Sequence, residues 1–205
     1  MVDNSIQSYI KYKDQLIELN GPDYKLRIDI NFSGGENSTI QLVDNAAGIF
    51  TADIARAFTP AMPPLDKTGI SQYGIGMKSS ACWYSKYFTV RTRALGEPIV
   101  RNIIFDIPKI IDQEIYNLDI QKEPTSNPKA HGTRIIMSKL NQPVPTSGAA
   151  SRLRGYLRSM YRDFLRTGEL VLTINGEVQE PLTNKWLKAP NWPNGKGPVD
   201  SKIHE

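Results

Sequence analysis

The chain has 205 residues and a net charge of +4, with a hydrophobic fraction of 40% and a charged fraction of 22%, values typical of one globular domain. This mildly basic balance allows a polyanionic partner without requiring one. The single cysteine, Cys82, excludes an internal disulfide, and the two histidines, His131 and His204, are too few and too scattered for a metal cluster.

Membrane and export signals are missing from the sequence. No apolar run approaches the roughly 18 residues that span a bilayer. The first sixteen residues, MVDNSIQSYIKYKDQL, lack the basic-then-apolar layout of a signal peptide. We therefore expect a cytoplasmic protein with no membrane partner.

Four elements are predicted in the first sixty residues. Spaced apolar residues over 1–19 predict a helix that ends at Asn20-Gly21-Pro22. Alternating apolar residues predict a strand at 25–33, and a second strand at 39–45 completes a hairpin. A short helix is expected at 51–58, followed by an irregular segment rich in proline and glycine.

The remaining elements are a buried helix, two strands joined by a turn, a further strand, an amphipathic helix and a hairpin. They are predicted at residues 77–87, 88–94 with 98–107, 132–140, 151–166 and 169–180. This order predicts an α+β fold with helices packed on one face of a mixed, mostly antiparallel sheet. We expect one domain over residues 1–182 and a polar tail or linker over 183–205.

The stretch TGISQYGIGMKSSACW, residues 68–83, places three glycines ahead of a predicted helix. It fits neither common phosphate motif, because Ile75 stands where a P-loop needs lysine and the third glycine of a dinucleotide fingerprint is missing. Glycines before a helix can still free backbone N–H groups for an anion, and Lys78 would add a positive charge. The alternative is a glycine-rich helix start that only packing requires.

Three other positions offer groups suited to a nucleotide. Asp44 ends a predicted strand, where it could accept a hydrogen bond from a base, and Gly48 would let a flat ring approach the backbone. The alternative is an ordinary strand-to-helix turn. Asn4 offers an amide oxygen of the kind that Mg²⁺ prefers, although an exposed helical asparagine is the simpler explanation of this residue by itself. Thr133 offers a hydroxyl at the start of a strand and is uninformative by itself.

In chain order, the motifs D-N, D-N-x-x-G, a G-x-G loop before a helix, and G-T on a strand resemble the Bergerat-fold (GHKL) ATPase superfamily. This superfamily includes the DNA gyrase B subunit, MutL, MORC proteins, ninety-kilodalton heat-shock chaperones and sensor histidine kinases. The stretch ISQYGIGMKSSA is most similar to the MORC and MutL-like branch. The resemblance implies a two-layer α/β sandwich that binds ATP and Mg²⁺.

The resemblance also implies a role for each matching residue. Asn4 is expected to bind magnesium, Asp44 to accept the adenine amino group, and Thr133 to share a water with Asp44. Gly48 would lie beside the base and Lys78 beside the phosphates. The other expected ATP contacts are the loop residues Tyr73, Gly74, Ile75, Gly76 and Met77. The irregular segment at 59–69 matches the family's lid, a loop that orders over bound nucleotide.

Two positions depart from the family pattern. The family's general base, a glutamate four residues before the magnesium asparagine, has no counterpart, because its position would precede Met1. We therefore assign no catalytic residue. We expect either an N-terminally truncated piece of an ATPase or a binding module without turnover. Ala46 replaces the family's usual glycine, and its methyl group is expected to weaken binding.

The resemblance implies an ATP-driven switch, in which nucleotide orders the lid, the domain forms a homodimer, and hydrolysis resets it. The implied setting is a DNA-directed process, with DNA or a DNA-associated protein as partner. The arginines spaced every four residues from Arg154 to Arg166 form either a DNA surface or the solvated side of a packed helix. A non-hydrolysing nucleotide-binding module is the alternative function. A histidine-kinase catalytic domain is a weaker one, because the QYGIGMKS loop fits that branch poorly.

Overall fold

The computed structural model describes residues 1–58, 76–115, 118–125, 127, 129–182, 189–190 and 198–199, with the backbone alone for 76–79, 189–190 and 198–199. Its strands are β1 Leu26–Ser33, β2 Thr39–Asp44, β3 Ser85–Arg93, β4 Ile99–Asp106, β5 Ile120–Pro124, β6 Gly132–Leu140, β7 Leu170–Ile174, β8 Glu177–Val178, β9 Ala189–Pro190 and β10 Pro198–Val199. Its helices are α1 Val2–Lys11, α2 Lys13–Asn20, α3 Thr51–Phe58, α4 Gly76–Tyr84, α5 Ile107–Asp112, α6 Ser147–Met160 and α7 Arg162–Thr167.

Eight strands form one sheet in the order β5-β4-β3-β6-β2-β1-β7-β8. Every neighbouring pair is antiparallel except β1 and β7, which run parallel. The predicted mixed, mostly antiparallel sheet is therefore confirmed. In the region predicted to be a polar tail, β9 and β10 pair with each other in a separate two-stranded ribbon. The proposed boundary at residue 182 stays a prediction.

The helices cover one face of this sheet, and two adjacent hydrophobic clusters fill the space between. The first cluster joins α1, α2 and α7 to β1, β2 and β7, with Ile6, Ile28 and Leu172 fully buried. The second joins α4 to β3, β4 and β6, where the rings of Phe88 and Phe105 stack at 4.2 Å. The strict alternation of buried residues along β1 is the reason its apolar face could be predicted.

Both long predicted helices are interrupted by a tyrosine. Tyr12 separates α1 from α2, and Tyr161 separates α6 from α7, each with ψ near 20°. At the second break, the Tyr161 side chain enters the first hydrophobic cluster, and its hydroxyl donates to Asp3 Oδ1 at 2.8 Å. Met160, directly before this break, is 65% exposed.

The predicted helix at 77–87 is shorter and less buried than expected. Strand β3 begins at Ser85, because Ser85 pairs with Leu140 at the far end of β6. Ala81 is fully buried, but Trp83 is 74% exposed. The side chain of Asn141, the residue after β6, donates to the Trp83 carbonyl at 3.0 Å and holds the last turn of α4.

The predictions for the other elements agree with the structure. The β1–β2 hairpin, α3, the β3–β4 pair and β6 lie where the sequence places them. Positive φ angles of 50° at Asn175 and 79° at Gly176 form the predicted β7–β8 turn. Across the described ranges, no helix is both long enough and apolar enough to cross a membrane.

Candidate functional site

The last residue of β2, Asp44, holds a buried carboxylate at the edge of the first hydrophobic cluster. Its Oδ2 accepts a hydrogen bond of 2.7 Å from Ser5 Oγ, on α1. Its Oδ1 accepts from the backbone N–H of Ala46 at 3.0 Å and of Thr133 at 3.2 Å. The carboxylate therefore joins the first helix, the loop after β2 and the start of β6.

Burial dominates the electrostatics of this carboxylate. It raises the pKa of Asp44 to about 6, although the hydrogen bonds from Ser5, Ala46 and Thr133 lower it in part. Asp44 is thus predominantly ionised at neutral pH, at a cost in stability. Burial, together with the charge of Asp44, raises the pKa of the nearby Tyr24 as well. The Tyr24 hydroxyl consequently stays protonated and donates to the carbonyl of Asn45.

Two threonines continue the site across the sheet from Asp44. Thr133 faces Asp44 in the β2–β6 register, and Thr92 faces Thr133 in the β3–β6 register. Directly paired residues project to the same face, so all three side chains share one surface. The two threonine Oγ1 atoms lie 3.1 Å apart, and Thr92 Oγ1 also accepts from the N–H of Ile49 at 3.0 Å.

Gly48 lies where the loop after β2 touches the end of β3. Its φ is +71°, and a Cβ added there would lie 2.0 Å from the carbonyl oxygen of Arg93. No side chain fits at this position without displacing backbone. Next to it, the carbonyl of Ala47 accepts a hydrogen bond of 2.8 Å from Leu95 N–H. Gly48 is therefore required by close backbone approach, as well as by its conformation.

Ala46, which departs from the family pattern, fits this loop without strain. It is 1% exposed and belongs to the first hydrophobic cluster. The described non-glycine residues with positive φ are Glu114, Lys139 and Asn175, so Ala46 needs no glycine-specific conformation. Its expected weakening of nucleotide binding stays a prediction.

His131 supports the same loop from the β6 side. Its Nδ1 lies 2.9 Å from the carbonyl oxygen of Ala46, and its Nε2 lies 3.0 Å from Nδ2 of Asn20. A carbonyl only accepts and an amide nitrogen only donates, so these partners assign the proton of the neutral ring to Nδ1. His131 thereby connects the end of α2 to the loop that follows Asp44.

Asn4, the expected magnesium ligand, lies at the border of this site. It is exposed in the first turn of α1 and directly precedes Ser5, which contacts Asp44. Among the residues that the structure describes, no group of three or more His, Cys, Asp or Glu side chains could hold a metal ion. A magnesium ion bound at Asn4 would therefore need oxygens from a ligand to complete its shell.

The expected phosphate residues are only partly described. Tyr73, Gly74, Ile75 and the expected lid at 59–69 lie outside the described residues. Gly76, Met77 and Lys78 form the first turn of α4, so the glycine pair does directly precede and open a helix. The structure brings Asp44, Gly48 and Thr133 together and leaves the position of the other loop residues relative to them undescribed.

Two site residues were missed by the sequence analysis. Ser5 follows Asn4 on the buried side of α1 and is 4% exposed. Thr92 is 1% exposed and lies on the same face of β3 as the core residues Phe88 and Val90. A hydroxyl at a core position must find a hydrogen-bond partner, and this was the available signal.

The sequence matches the family model described as histidine kinase-, DNA gyrase B- and HSP90-like ATPase over residues 1–133. The chain belongs to this family. Its membership confirms the predicted Bergerat-fold superfamily and implies that the domain binds ATP, and it is compatible with the MORC and MutL-like branch. A comparison with curated proteins finds no match.

Solved structures of two topoisomerases share the fold of this GHKL domain. The ATPase and transducer domains of DNA topoisomerase II from Balamuthia mandrillaris are 15% identical with a TM-score of 0.55, and the match covers 86% of this chain and 48% of that one. The ATPase region of Saccharomyces cerevisiae topoisomerase II is 14% identical with a TM-score of 0.52, covering 82% and 47%. This chain thus spans about half the length of the two topoisomerase chains.

The Aquifex aeolicus MutL ATPase domain complexed with ADP also matches. It is 14% identical with a TM-score of 0.43, and the match covers 91% of this chain and 66% of that one. The topoisomerase matches confirm the predicted α+β fold class, with helices layered on one mixed sheet.

A pair of glycine substitutions separates steric clash from backbone strain. Gly96→Ala, at φ +75° with nothing within 4 Å of the new Cβ, should cost about 1 kcal/mol of unfolding free energy from conformation alone. Gly48→Ala should cost about 2 kcal/mol more, because its Cβ meets the Arg93 carbonyl. Urea unfolding of both variants measures the difference. Equal costs would contradict the steric requirement at Gly48.

Asp44→Asn should reveal the cost of the buried charge. The pKa of Asp44 is raised in the folded state, so proton binding by Asp44 stabilises the folded protein. This stabilisation is fully present below the unfolded pKa of about 4 and is lost as pH rises through about 6. Without ligand, the variant should therefore gain on the wild type by about 2 kcal/mol between pH 4 and pH 7. Urea unfolding across this pH range measures the gain. A pH-independent difference between the two proteins would contradict the raised pKa.

Proposed function

We propose that this domain binds ATP with its adenine amino group on Asp44, and that nucleotide binding drives a conformational switch. The observation that carries the proposal is the buried, ionised carboxylate of Asp44 beside the bare backbone of Gly48. An ionised carboxylate offers about four acceptor positions, and its three protein donors leave one for an amine. A base placed there would lie beside the loop that Gly48 packs against the end of β3.

The neighbouring hydroxyls and α4 extend this proposal to the rest of the nucleotide. Thr133 would share a water with Asp44 and the base, and Thr92 holds the Thr133 hydroxyl in place at 3.1 Å. The phosphates would meet the loop residues Tyr73, Gly74 and Ile75 and the first turn of α4. Exposed N–H groups at a helix start favour anions, and Lys78 would add charge.

The magnesium part of the proposal rests on the chemistry and position of Asn4. Its amide oxygen suits Mg²⁺, and α1 holds it one residue from the Ser5–Asp44 hydrogen bond. A bound magnesium ion would neutralise phosphate charge. No residue of this chain is assigned as the general base, so turnover is proposed only for a protein that supplies the glutamate. A non-hydrolysing binding module remains the alternative.

The switch is proposed to be a nucleotide-dependent homodimer that acts in a DNA-directed process in the cytoplasm. The family membership supports the ATPase component of this proposal. The arginines spaced every four residues from Arg154 to Arg166 give the proposed DNA partner little support. Arg154 pairs with Glu177 at 3.0 Å and Arg158 donates to the Glu180 carbonyl at 2.6 Å, which favours a helix packed against the β7–β8 hairpin.

Adenine recognition is tested with Asp44→Asn. The amide would keep an acceptor for the N–H groups of Ala46 and Thr133, but its NH₂ group would face the adenine amine, which is also a donor. We expect ATP affinity to fall by about 1–3 kcal/mol, measured by calorimetric titration. GTP serves as the control ligand, because it has a carbonyl where adenine has an amine. Unchanged ATP affinity in a folded variant would remove Asp44 from the site.

Asn4→Ala tests the magnesium ligand. Because Asn4 is exposed, the substitution should leave the thermal unfolding temperature close to that of the wild type. Titrations with ATP, with Mg²⁺ and with EDTA, should show a magnesium-dependent gain in affinity for the wild type and a much smaller gain for the variant. Equal gains would show that the magnesium ion is held by other groups.

A further inference from the structure

An ion pair between a buried arginine and a partly buried glutamate lies at the start of α3, at the other end of the loop from Asp44. Arg101, on β4, is 3% exposed, and its Nη1 donates to Glu97 Oε2 at 2.5 Å. Glu97 Oε1 accepts from the backbone N–H and from the hydroxyl of Thr51, each at 2.9 Å. Arg101 Nη2 also donates to the Thr51 hydroxyl. We call Thr51, Glu97 and Arg101 the Glu97 clamp.

The clamp places a negative charge at the first N–H group of α3, where a helix start favours an anion. Burial by itself would raise the pKa of Glu97, but hydrogen bonds from Thr51 and Arg101 hold it below its ordinary range. Glu97 is therefore ionised at neutral pH. Arg93 holds the backbone of Glu97, because its Nε donates to the Glu97 carbonyl at 2.9 Å.

Three contacts of the 46–50 loop are made with the end of β3 and the turn that follows. The Ile49 N–H donates to Thr92 Oγ1, the Ala47 carbonyl accepts from Leu95, and Gly48 lies against the Arg93 carbonyl. At the end of the loop, the Glu97 clamp holds Thr51, the first residue of α3. The loop is thus attached at one end to Asp44 and at the other end to the clamp.

We propose that the Glu97 clamp positions the 46–50 loop for a purine base, with Glu97 and Arg101 as positioning residues of the adenine site. This inference rests on the proposed function, since it assumes that the base lies against this loop. The clamp does not contact the ligand. It holds the loop in the conformation that packs Gly48 against the Arg93 carbonyl and keeps the Ala46 N–H on Asp44, so that ordering the loop takes less binding energy.

The test compares ADP and adenosine by calorimetric titration, with thermal unfolding as the check on folding. Thr51→Val removes only the hydroxyl from the clamp, while Thr51→Ser keeps it. Glu97→Gln removes the charge. Glu123→Gln is the control, because it breaks a 2.9 Å arginine–glutamate pair between Arg91 on β3 and Glu123 on β5, the strands on either side of β4.

We expect Glu97→Gln to weaken the binding of ADP and of adenosine by the same factor, about tenfold, and Thr51→Val by about fivefold. Thr51→Ser and Glu123→Gln should bind like the wild type. Equal losses for the two ligands identify an effect on the base, because adenosine has no phosphate. If Glu97→Gln does not fold, the Thr51 pair provides the test.

Wild-type affinity in folded Glu97→Gln and Thr51→Val would overturn the clamp and leave the proposed function standing. A loss confined to ADP would also overturn it, because the clamp would then act on the phosphates. If the wild type binds neither ADP nor adenosine, the proposed function itself fails and the clamp proposal with it.

Discussion

The arrangement of the site depends on one buried carboxylate. Asp44 ends β2 inside the protein, where its charge is tolerated because Ser5, Ala46 and Thr133 all donate to it. These donors come from α1, from the loop after β2 and from β6. The carboxylate therefore specifies how the first helix, the loop and the central strand meet, and the same constraint leaves a buried acceptor available to a ligand.

The sheet explains why so much of the site is rigid. β2, β6 and β3 are adjacent and in register, so that Asp44, Thr133 and Thr92 form one row of polar side chains at the end of two hydrophobic clusters. Backbone hydrogen bonds fix the spacing of that row. The loop after β2 then lies against the end of β3 so closely that only glycine fits at position 48. A flat ligand would meet a preformed surface at this point.

One carboxylate lies at each end of the loop, and the two differ in their partners. Among the described residues, Asp44 has hydrogen-bond donors but no cationic partner, and burial raises its pKa to about 6. Glu97 has a cation, Arg101, and its pKa is lowered despite burial. A carboxylate without a cation can still be stabilised by a ligand, whereas a paired carboxylate serves structure. The two acidic groups thus mark the two ends of one loop, one suited to binding and the other to support.

The sequence by itself determined the family, the polar–apolar alternation of the strands, the β7–β8 turn and the candidate residues Asp44, Gly48 and Thr133. These follow from local patterns, since alternation, turn chemistry and motif order need no knowledge of distant contacts. Only the tertiary structure decided the helix breaks at Tyr12 and Tyr161 and the exposure of Met160 and Trp83. It also decided the contacts made by the polar residues of the site and of the clamp, which are Ser5, Thr92, Glu97 and Arg101. Ser5, Thr92 and Arg101 have partners 39 to 50 residues away, so the physical reason for each of these residues is a contact that the sequence does not display.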